Sequence, residues 1–147
     1  MKLKNEFSII TTKDESPTLR FKSKHAEESM HSHGGAFSET LYIYAEPFQH
    51  LKGSDLSVLS IGLGLGYNEI LSVCEYLNQN PQKEFYLESY EKEEFLIEQF
   101  RNWSSGNKTA LDPIYNQILK LFANKYNLEP AIIKQGLAHL LLSLIHI

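Results

Sequence analysis

The sequence of 147 residues has a single cysteine, no apolar run long enough to cross a bilayer, and no excess of basic charge. One thiol, Cys74, cannot form an internal disulfide, and the polar start at residues 1–6 lacks the apolar stretch of a signal peptide. The formal net charge of -4 excludes a global basic field of the kind that attracts nucleic acid. These absences favour a cytoplasmic protein without a membrane partner.

Metal sites and a reactive thiol are also poorly supported by the sequence. His31 and His33 stand two residues apart beside Glu27 and Glu28, but a zinc site needs more ligands at regular spacing. Cys74 falls on the apolar side of a predicted helix, which is typical of a core residue. We therefore expect no metal site and an inert cysteine.

Several aromatic residues could in principle stack on a base. Tyr42, Tyr44 and Phe48 recur at positions more typical of a helix that packs in a core. Trp103, next to Ser104, is more typical of an anchor at the end of a helix. We expect none of these aromatic residues to form a stacking platform.

What is present is enough apolar surface for one domain, with 42% hydrophobic and 12% aromatic residues. A β-hairpin is predicted over residues 6–22, where alternating apolar residues flank a turn cluster. Residues 23–35 are polar and predict a loop. Residues 36–49 carry apolar residues at helical spacing, and Pro47 is expected to break or kink that helix near its end.

The centre of the chain has the pattern of one β-α-β unit. Residues 57–61 form an aliphatic run typical of a buried parallel strand, and an amphipathic helix is predicted over residues 68–77. A second strand is predicted over residues 85–90. Because such crossovers are right-handed, the two strands should be parallel neighbours.

Beyond residue 90 the pattern predicts only helices. They cover about residues 91–103, a segment that starts at Asp112-Pro113, and a segment from Glu129 through Leu141. The last six residues, 142–147, read Leu-Ser-Leu-Ile-His-Ile, which a common sequencing adapter encodes when it is translated. We expect a truncated gene fragment with a read-through tail.

Three glycines at alternating positions, Gly62, Gly64 and Gly66, lie between the first parallel strand and its helix. Strand, glycine turn and helix together let a backbone approach a nucleotide closely. A dinucleotide site needs G-x-G-x-x-G, but the required third glycine is replaced by Tyr67. The pattern G-x-G-x-G suits S-adenosylmethionine instead, and a tight turn without any ligand is the alternative.

A carboxylate follows the neighbouring strand, where ribose hydroxyls are commonly held because a carboxylate accepts from two vicinal donors. Glu91 stands at that end of the strand, and Glu88 is a weaker substitute. The alternative for Glu91 is a first-turn acid that the helix dipole favours. Position therefore indicates Glu91 as the ribose ligand.

Several segments, in this order, carry a resemblance to a known family: His31-Ser32-His33-Gly34-Gly35-Ala36, Ser38-Glu39-Thr40, the glycine motif ending in Asn68, and Ser89-Tyr90-Glu91-Lys92. The series resembles the methyltransferase domain of the MnmC family, which modifies the wobble uridine of bacterial tRNA. Residues 11–19 also resemble the first hairpin of that family, so the likeness covers about residues 11–92.

The resemblance implies an α/β fold of the Rossmann-like class I methyltransferase type, preceded by a β-hairpin and present as its N-terminal part only. A hairpin and helix extension would cover residues 1–50, the truncated methyltransferase domain 51–141, and a possible non-native tail 142–147. Only two of the six or seven strands of such a sheet can be placed in the sequence.

The resemblance also implies S-adenosylmethionine as methyl donor and the 5-aminomethyl group of wobble uridine in tRNA as acceptor. Full-length family members have a fused or separate flavin-dependent oxidoreductase domain as a possible partner. By their positions in the motifs of the family, the resemblance implies that Glu91 binds the ribose and that His31 and Glu39 lie near the methionine end. The seven cofactor-binding residues that it implies are Gly62, Gly64, Gly66, Asn68, Glu91, His31 and Glu39.

The sequence departs from the family at Ser60, where an acid usually stands two residues before the first glycine. Its absence is expected to weaken contacts to the methionine part of the cofactor. No acceptor-side catalytic residue can be named, because that chemistry follows a later strand. Two other functions stay open: a transferase of aminopropyl or methyl groups to a small amine, and an inactive fragment that binds a partner.

Overall fold

The computed structural model describes residues 7–22, 27–79 and 81–146, with the backbone alone from residue 139 onward. An antiparallel sheet consists of β1 (Phe7–Thr11), β2 (Pro17–Lys22) and β3 (Glu27–Ser29). A parallel sheet has the order β4 (Leu56–Ile61), β5 (Phe85–Glu91) and β6 (Leu141–His146). The helices are α1 (Ala36–Thr40), a π-helical turn (Leu41–Ala45), α2 (Glu46–Gln49), α3 (Tyr67–Gln79), α4 (Glu94–Ser104), α5 (Asp112–Tyr126) and α6 (Pro130–Leu140).

The N-terminal hairpin is confirmed, with Phe7 opposite Phe21 and Thr11 opposite Pro17. The loop predicted over residues 23–35 is wrong in part, because β3 adds a third strand to β2. Residues 23–26 lie outside the described residues. A polar strand of three residues has no hydrophobic alternation, so the sequence alone does not reveal it.

The helical segment over residues 36–49 is confirmed, with a π-helical turn just before Pro47. A proline has no N–H to donate to the preceding turn, and a wider turn at that point accommodates the loss. Phe48 is buried as expected, but Tyr42 is 84% exposed and Tyr44 is half-exposed. The core placement of these two tyrosines is therefore wrong.

The β-α-β unit is confirmed as a parallel pair, with Ser60 opposite Ser89 and Ile61 opposite Tyr90. Glu91 is the last residue of β5, and α4 begins only at Glu94. The helix start predicted near residue 91 is thus three residues early. The physical reason is local, since the Glu91 carboxylate accepts the N–H groups of Lys92 and Glu93 and holds them in a turn.

The prediction that only helices follow residue 90 is wrong at its end. Residues 141–146 form β6, which pairs in parallel with β5, so the sheet has three strands where the sequence predicted two. Leu141, predicted at the end of a helix, is the first residue of this strand. A short aliphatic run has no periodicity that separates strand from helix. The non-native origin expected for residues 142–147 stays a prediction.

The core lies between the parallel sheet and the helices packed on one of its faces. Helix α3 is buried along most of its length, with Ile70, Leu71 and Cys74 fully inaccessible. The opposite face of the sheet exposes Leu59 and Ile61, which are 65% and 69% accessible. Within the described ranges, no helix combines the length and apolarity that a membrane crossing requires.

Candidate functional site

The glycine turn between β4 and α3 is built from backbone conformations that favour glycine. Gly62, Gly64 and Gly66 have φ angles of 86°, 53° and 75°. The N–H of Gly62 donates to the Tyr90 carbonyl at 2.8 Å, which extends the sheet into the turn. The N–H of Gly66 donates to the Leu63 carbonyl at 2.8 Å, so the turn closes directly onto the first residue of α3.

The three glycines differ in what surrounds them. A Cβ on Gly62 would meet nothing within 4 Å, and a Cβ on Gly64 would approach the flexible Met30 side chain at 3.0 Å. A Cβ on Gly66 would lie 2.1 Å from the Phe100 ring of α4. Gly62 therefore borders open space and Gly64 faces a flexible side chain, whereas Gly66 lets α4 pack against the turn.

Glu91 ties the carboxyl end of β5 to the glycine turn. Its side chain is only 3% exposed, and its Oε2 accepts the N–H of Gly64 at 3.0 Å. Its Oε1 accepts the N–H groups of Lys92 at 2.8 Å and Glu93 at 3.0 Å. Because each carboxylate oxygen has two acceptor positions, Oε2 has capacity for a further donor. The predicted ribose contact stays a prediction.

A cavity of about 240 Å³ lies beside the glycine turn. It brings together five of the seven residues that the resemblance implied, while Gly66 and Glu91 are not among the described residues that line it. Sequence reasoning missed the other five, which come from three separate segments. The lining residues are Met30, His31, Glu39, Tyr44, Ile61, Gly62, Leu63, Gly64, Tyr67 and Asn68.

A larger cavity, of about 450 Å³, continues from this one along β4 and shares Tyr44, Ile61 and Asn68 with it. Its other walls are mostly aliphatic or aromatic, including Phe48 and Leu51. It carries no titratable side chain besides Tyr44 among its described lining residues. We place the candidate site in the smaller cavity, because the glycine turn and the polar side chains meet there.

The N-terminal hairpin holds the His31–Glu39 segment in place by capping helix α1. The first three N–H groups of α1 donate to hairpin side chains: Ala36 to Thr12 Oγ1, Phe37 to Ser16 Oγ and Ser38 to Asp14 Oδ2. A helix start leaves these donors without intrahelical partners. The turn sequence that predicted a hairpin therefore also positions one wall of the cavity.

Tyr67, which argued against a dinucleotide site, joins the glycine turn to the hairpin. Its side chain is 2% exposed, and its hydroxyl donates to the Pro17 carbonyl at 2.7 Å. Its ring packs edge-on against the His31 ring, with 5.0 Å between the ring centroids. Burial raises the pKa of the Tyr67 hydroxyl, so this residue stays neutral. Tyr67 therefore lines the cavity and links the glycine turn to the hairpin.

Glu39 is the acid of the cavity. Its Oε2 accepts the N–H of Ser32 at 2.7 Å, and hydrogen bonds from the side chain and the N–H of Ser32 lower the pKa of the Glu39 carboxyl. The carboxylate therefore remains charged at neutral pH. It gives the cavity a negative charge that suits a cationic ligand group.

A buried polar cluster lies behind the glycine turn, beside Ser60 of β4. Glu69 of α3 is fully inaccessible, and its Oε1 accepts the Ser89 hydroxyl at 2.5 Å. Its Oε2 and the Ser60 Oγ have no hydrogen-bond partner among the described residues. Helix α3 thus brings a carboxyl close to Ser60 that β4 itself lacks. Nothing in the sequence indicates a buried carboxyl here, because a first-turn acid normally faces solvent.

We expect Glu69→Gln to change how the free energy of unfolding depends on pH. Burial raises the pKa of Glu69, and the hydrogen bond from Ser89 only partly offsets this effect. A raised pKa means that the folded state binds the proton more tightly, so stability falls as pH rises through the unfolded-state value of about 4.3 towards the folded-state pKa. In Glu69→Gln the free energy of unfolding should not fall over this pH range. At pH 8 it should exceed that of the wild type by about 1 kcal/mol or more.

Urea unfolding at pH 5 and pH 8 measures this effect, with the exposed first-turn acid Glu94→Gln as the matched control. An equal pH dependence in the wild type and in Glu69→Gln would contradict the placement of an ionisable group in a dry site.

Cys74 and Trp103, which the sequence analysis also considered, are both buried in the core. Cys74 is fully buried, and burial raises the pKa of its thiol, which makes it unreactive. Trp103 lies in the last turn of α4 with 1% exposure, and its Nε1 donates to Asn116 Oδ1 at 3.0 Å. In the part of the chain that the structure describes, no group of three or more His, Cys, Asp or Glu side chains could hold a metal ion.

The cavity fits the methionine part of S-adenosylmethionine in its chemistry. Asn68 Oδ1 is buried without a hydrogen-bond partner among the described residues and can accept from an ammonium group, and the Glu39 carboxylate supplies the opposite charge. Gly62 leaves its side of the turn open. Ligand cavities are typically about 300 Å³ or more, so a volume of about 240 Å³ suits part of a cofactor.

Comparison with known proteins bears on the fold. No family model matches the chain. An uncharacterized protein of Methanocaldococcus jannaschii is 36% identical over 80 residues, which are 54% of this chain and 21% of that protein. The crystal structure of MnmC2 from Aquifex aeolicus matches with a TM-score of 0.53 and 32% identity, over 61% of this chain and 30% of that one. The chain therefore spans less than a third of either relative, and the likeness supports an MnmC-like fold.

Proposed function

We propose that this chain is the S-adenosylmethionine-binding part of a cytoplasmic methyltransferase that acts on the 5-aminomethyl group of wobble uridine in tRNA. The observation that carries the proposal is the cavity in which the glycine turn meets His31 and Glu39. The two segments are about thirty positions apart in sequence, and the resemblance implies both from the sequence alone. The likeness to MnmC2 supports the family.

Each residue has a stated part in this proposal. Gly62 and Gly64 let the backbone approach the cofactor, and Asn68 and Glu39 receive its ammonium group. Glu91 holds the ribose through the free acceptor position on Oε2 and keeps the turn in shape through Gly64. When bound, the cofactor supplies a methyl group on a positively charged sulfur, which suits the negative charge of Glu39.

Gly66 acts indirectly in this proposal, by bringing α4 against the turn. The parallel order β4, β5, β6 is that of one half of a doubly wound Rossmann-like sheet, with the site at the carboxyl ends of its strands. The tRNA and a flavin-dependent domain, fused or separate, are the proposed partners of a full-length protein.

A transferase acting on a small amine is the second candidate. The net charge of -4 favours it, because tRNA binding usually needs a positive surface. Methyl transfer from labelled cofactor to undermodified tRNA, compared with transfer to a polyamine, separates the two substrates. A chain that binds the cofactor and transfers to neither would correspond to the inactive fragment.

We expect calorimetry to show saturable binding of S-adenosylmethionine to this chain and none of NAD. Glu91→Gln should weaken binding by about tenfold or more, because the amide carries no charge and offers one acceptor oxygen in place of two. Glu88→Gln is the matched control, since Glu88 lies on the same strand and accepts from the Tyr90 hydroxyl.

Urea unfolding of both variants shows whether a weaker affinity reflects a lost contact or a loosened fold. A folded wild-type chain that binds no S-adenosylmethionine, or that binds NAD equally well, would reject the proposal.

A further inference from the structure

We infer that His31 is the base that removes a proton from the acceptor amine before methyl transfer. The inference rests on the proposed function and adds a residue role that the resemblance left blank. A primary alkylamine is protonated at neutral pH, with a pKa near that of a lysine side chain, about 10.4. An ammonium group has no free electron pair, so a nearby base must take the proton.

The ring of His31 is held at the cavity by contacts on two sides. Its Nδ1 lies 2.9 Å from the Oγ1 of Thr18, which is fully buried. Its ring meets Tyr67 edge-on at 5.0 Å. These contacts fix the plane of the ring while His31 lines the same cavity as Gly62 and Gly64.

The second ring nitrogen is available for chemistry. No described residue forms a hydrogen bond with Nε2 of His31. When Nδ1 carries the hydrogen and donates to Thr18, Nε2 has a free electron pair. The Thr18 hydroxyl can accept this hydrogen, so the contact accommodates the tautomer that a base at Nε2 requires.

The charges around His31 suit a group that is neutral first and cationic afterwards. Burial lowers the pKa of His31, whereas the carboxylates of Glu39 and Asp14 act in the opposite direction. At neutral pH the ring is therefore the neutral, proton-accepting form. Once it has gained a proton, the same two carboxylates stabilise the imidazolium. Tyr67, the other titratable neighbour, stays neutral.

Glu39 is the rival base in the cavity, and it is the weaker one. Hydrogen bonds from the side chain and the N–H of Ser32 lower the pKa of the Glu39 carboxyl. A carboxylate of low pKa has little tendency to take a proton from an ammonium group, since efficient bases have a pKa near the working pH. Glu39 instead attracts the cation and stabilises protonated His31.

The proposed step is a simple proton transfer. One N–H bond of the acceptor ammonium breaks, its electron pair stays on nitrogen, and the proton moves to Nε2 of His31. The step needs no oxidant or reductant. Its product is a neutral amine whose electron pair can attack a methyl group.

NMR titration of the histidine rings tests the inference without any need for turnover. The pKa of His31 is measured in the free chain and with saturating S-adenosylmethionine or S-adenosylhomocysteine, which differ by one methyl group and one positive charge. We expect the pKa of His31 to be lower by about 1 with the charged ligand than with the neutral one, because a like charge nearby disfavours the imidazolium. Addition of 5-aminomethyluridine to the S-adenosylhomocysteine complex should lower it again.

One variant and one internal control make the result specific. His31→Gln identifies the His31 signals by their loss, and His33 provides the internal control, because it is exposed and does not line the cavity. If both ligands bind but leave the pKa of His31 equal, or if the added amine has no effect on it, the base role is rejected. If a folded chain binds neither ligand, the proposed function fails instead.

Discussion

Replacing Gly66 by alanine should lower the free energy of unfolding by about 3 kcal/mol or more. The added Cβ would stand 2.1 Å from the Phe100 ring, and Phe100 is fully buried among Trp103 and Tyr115. Overpacking of a dense core costs about 1–3 kcal/mol, and the φ angle of 75° adds about 1 kcal/mol for a residue with a Cβ. Urea unfolding of Gly66→Ala measures the sum.

Two other glycines separate these contributions. Gly62 and Gly106 both have a φ angle of 86°, and a Cβ on either would meet nothing within 4 Å. Gly62→Ala and Gly106→Ala should therefore lose only about 1 kcal/mol, the conformational part alone. Equal losses in all three variants would mean that Phe100 moves aside and that the packing role assigned to Gly66 is wrong.

The packing role of Gly66 explains why the glycine motif can be identified from sequence but not fully interpreted. Alternating glycines after an aliphatic run predict a tight strand-to-helix turn, and the turn is present. Which glycine faces a ligand and which faces a helix depends on α4, a segment some thirty residues further along. Direct contact between Gly66 and the cofactor stays a prediction. Gly66 can also affect the site indirectly, because it lets α4 pack against the glycine turn.

The β-α-β unit and the N-terminal hairpin could be predicted because their signals are local. Strand β4 is a short aliphatic run, and α3 has apolar residues at helical spacing. Strands β3 and β6 could not be predicted for opposite reasons. The first is polar and has three residues, so that pairing with β2 alone defines it. The second has the composition of a helix as much as of a strand.

The candidate site shows the same limit. His31 and Glu39 were singled out only by resemblance, since nothing in their local sequence indicates that they face Gly62. The buried carboxyl of Glu69 could not be found at all, because it depends on how α3 lies against Ser89. The capping of α1 by the hairpin is also a long-range arrangement, since Asp14 and Ser38 are 24 residues apart.

Asp14→Asn should lower the free energy of unfolding by about 2–3 kcal/mol at pH 7. The Asp14 carboxylate accepts five hydrogen bonds, from the side chains of Thr12, Ser16 and Ser38 and from the N–H groups of Ser16 and Ser38. Hydrogen bonds to a charged group are worth about 1.5–3 kcal/mol, and the asparagine amide puts a donor where an acceptor is needed. Glu15→Gln, the same change at the next residue, is the control and should be nearly neutral.

The effect of Asp14 should also depend on pH in a defined direction. Burial raises the pKa of its carboxyl, but the hydrogen bonds from Ser16, Ser38 and Thr12 outweigh burial and hold it well below its usual range. The unfolded chain therefore takes up this proton first, and the stability that Asp14 contributes is complete above about pH 4 and declines as the pH falls towards the folded-state pKa.

Urea unfolding from pH 7 to pH 3 should show the wild type and Asp14→Asn converging at the acid end. Binding of S-adenosylmethionine at pH 7 should weaken in the same variant, because Asp14 holds the start of α1 and with it Glu39 in the cavity wall. A constant gap in stability across this pH range would mean that the variant acts through packing. An unchanged affinity in a chain of reduced stability would mean that the hairpin does not position the site.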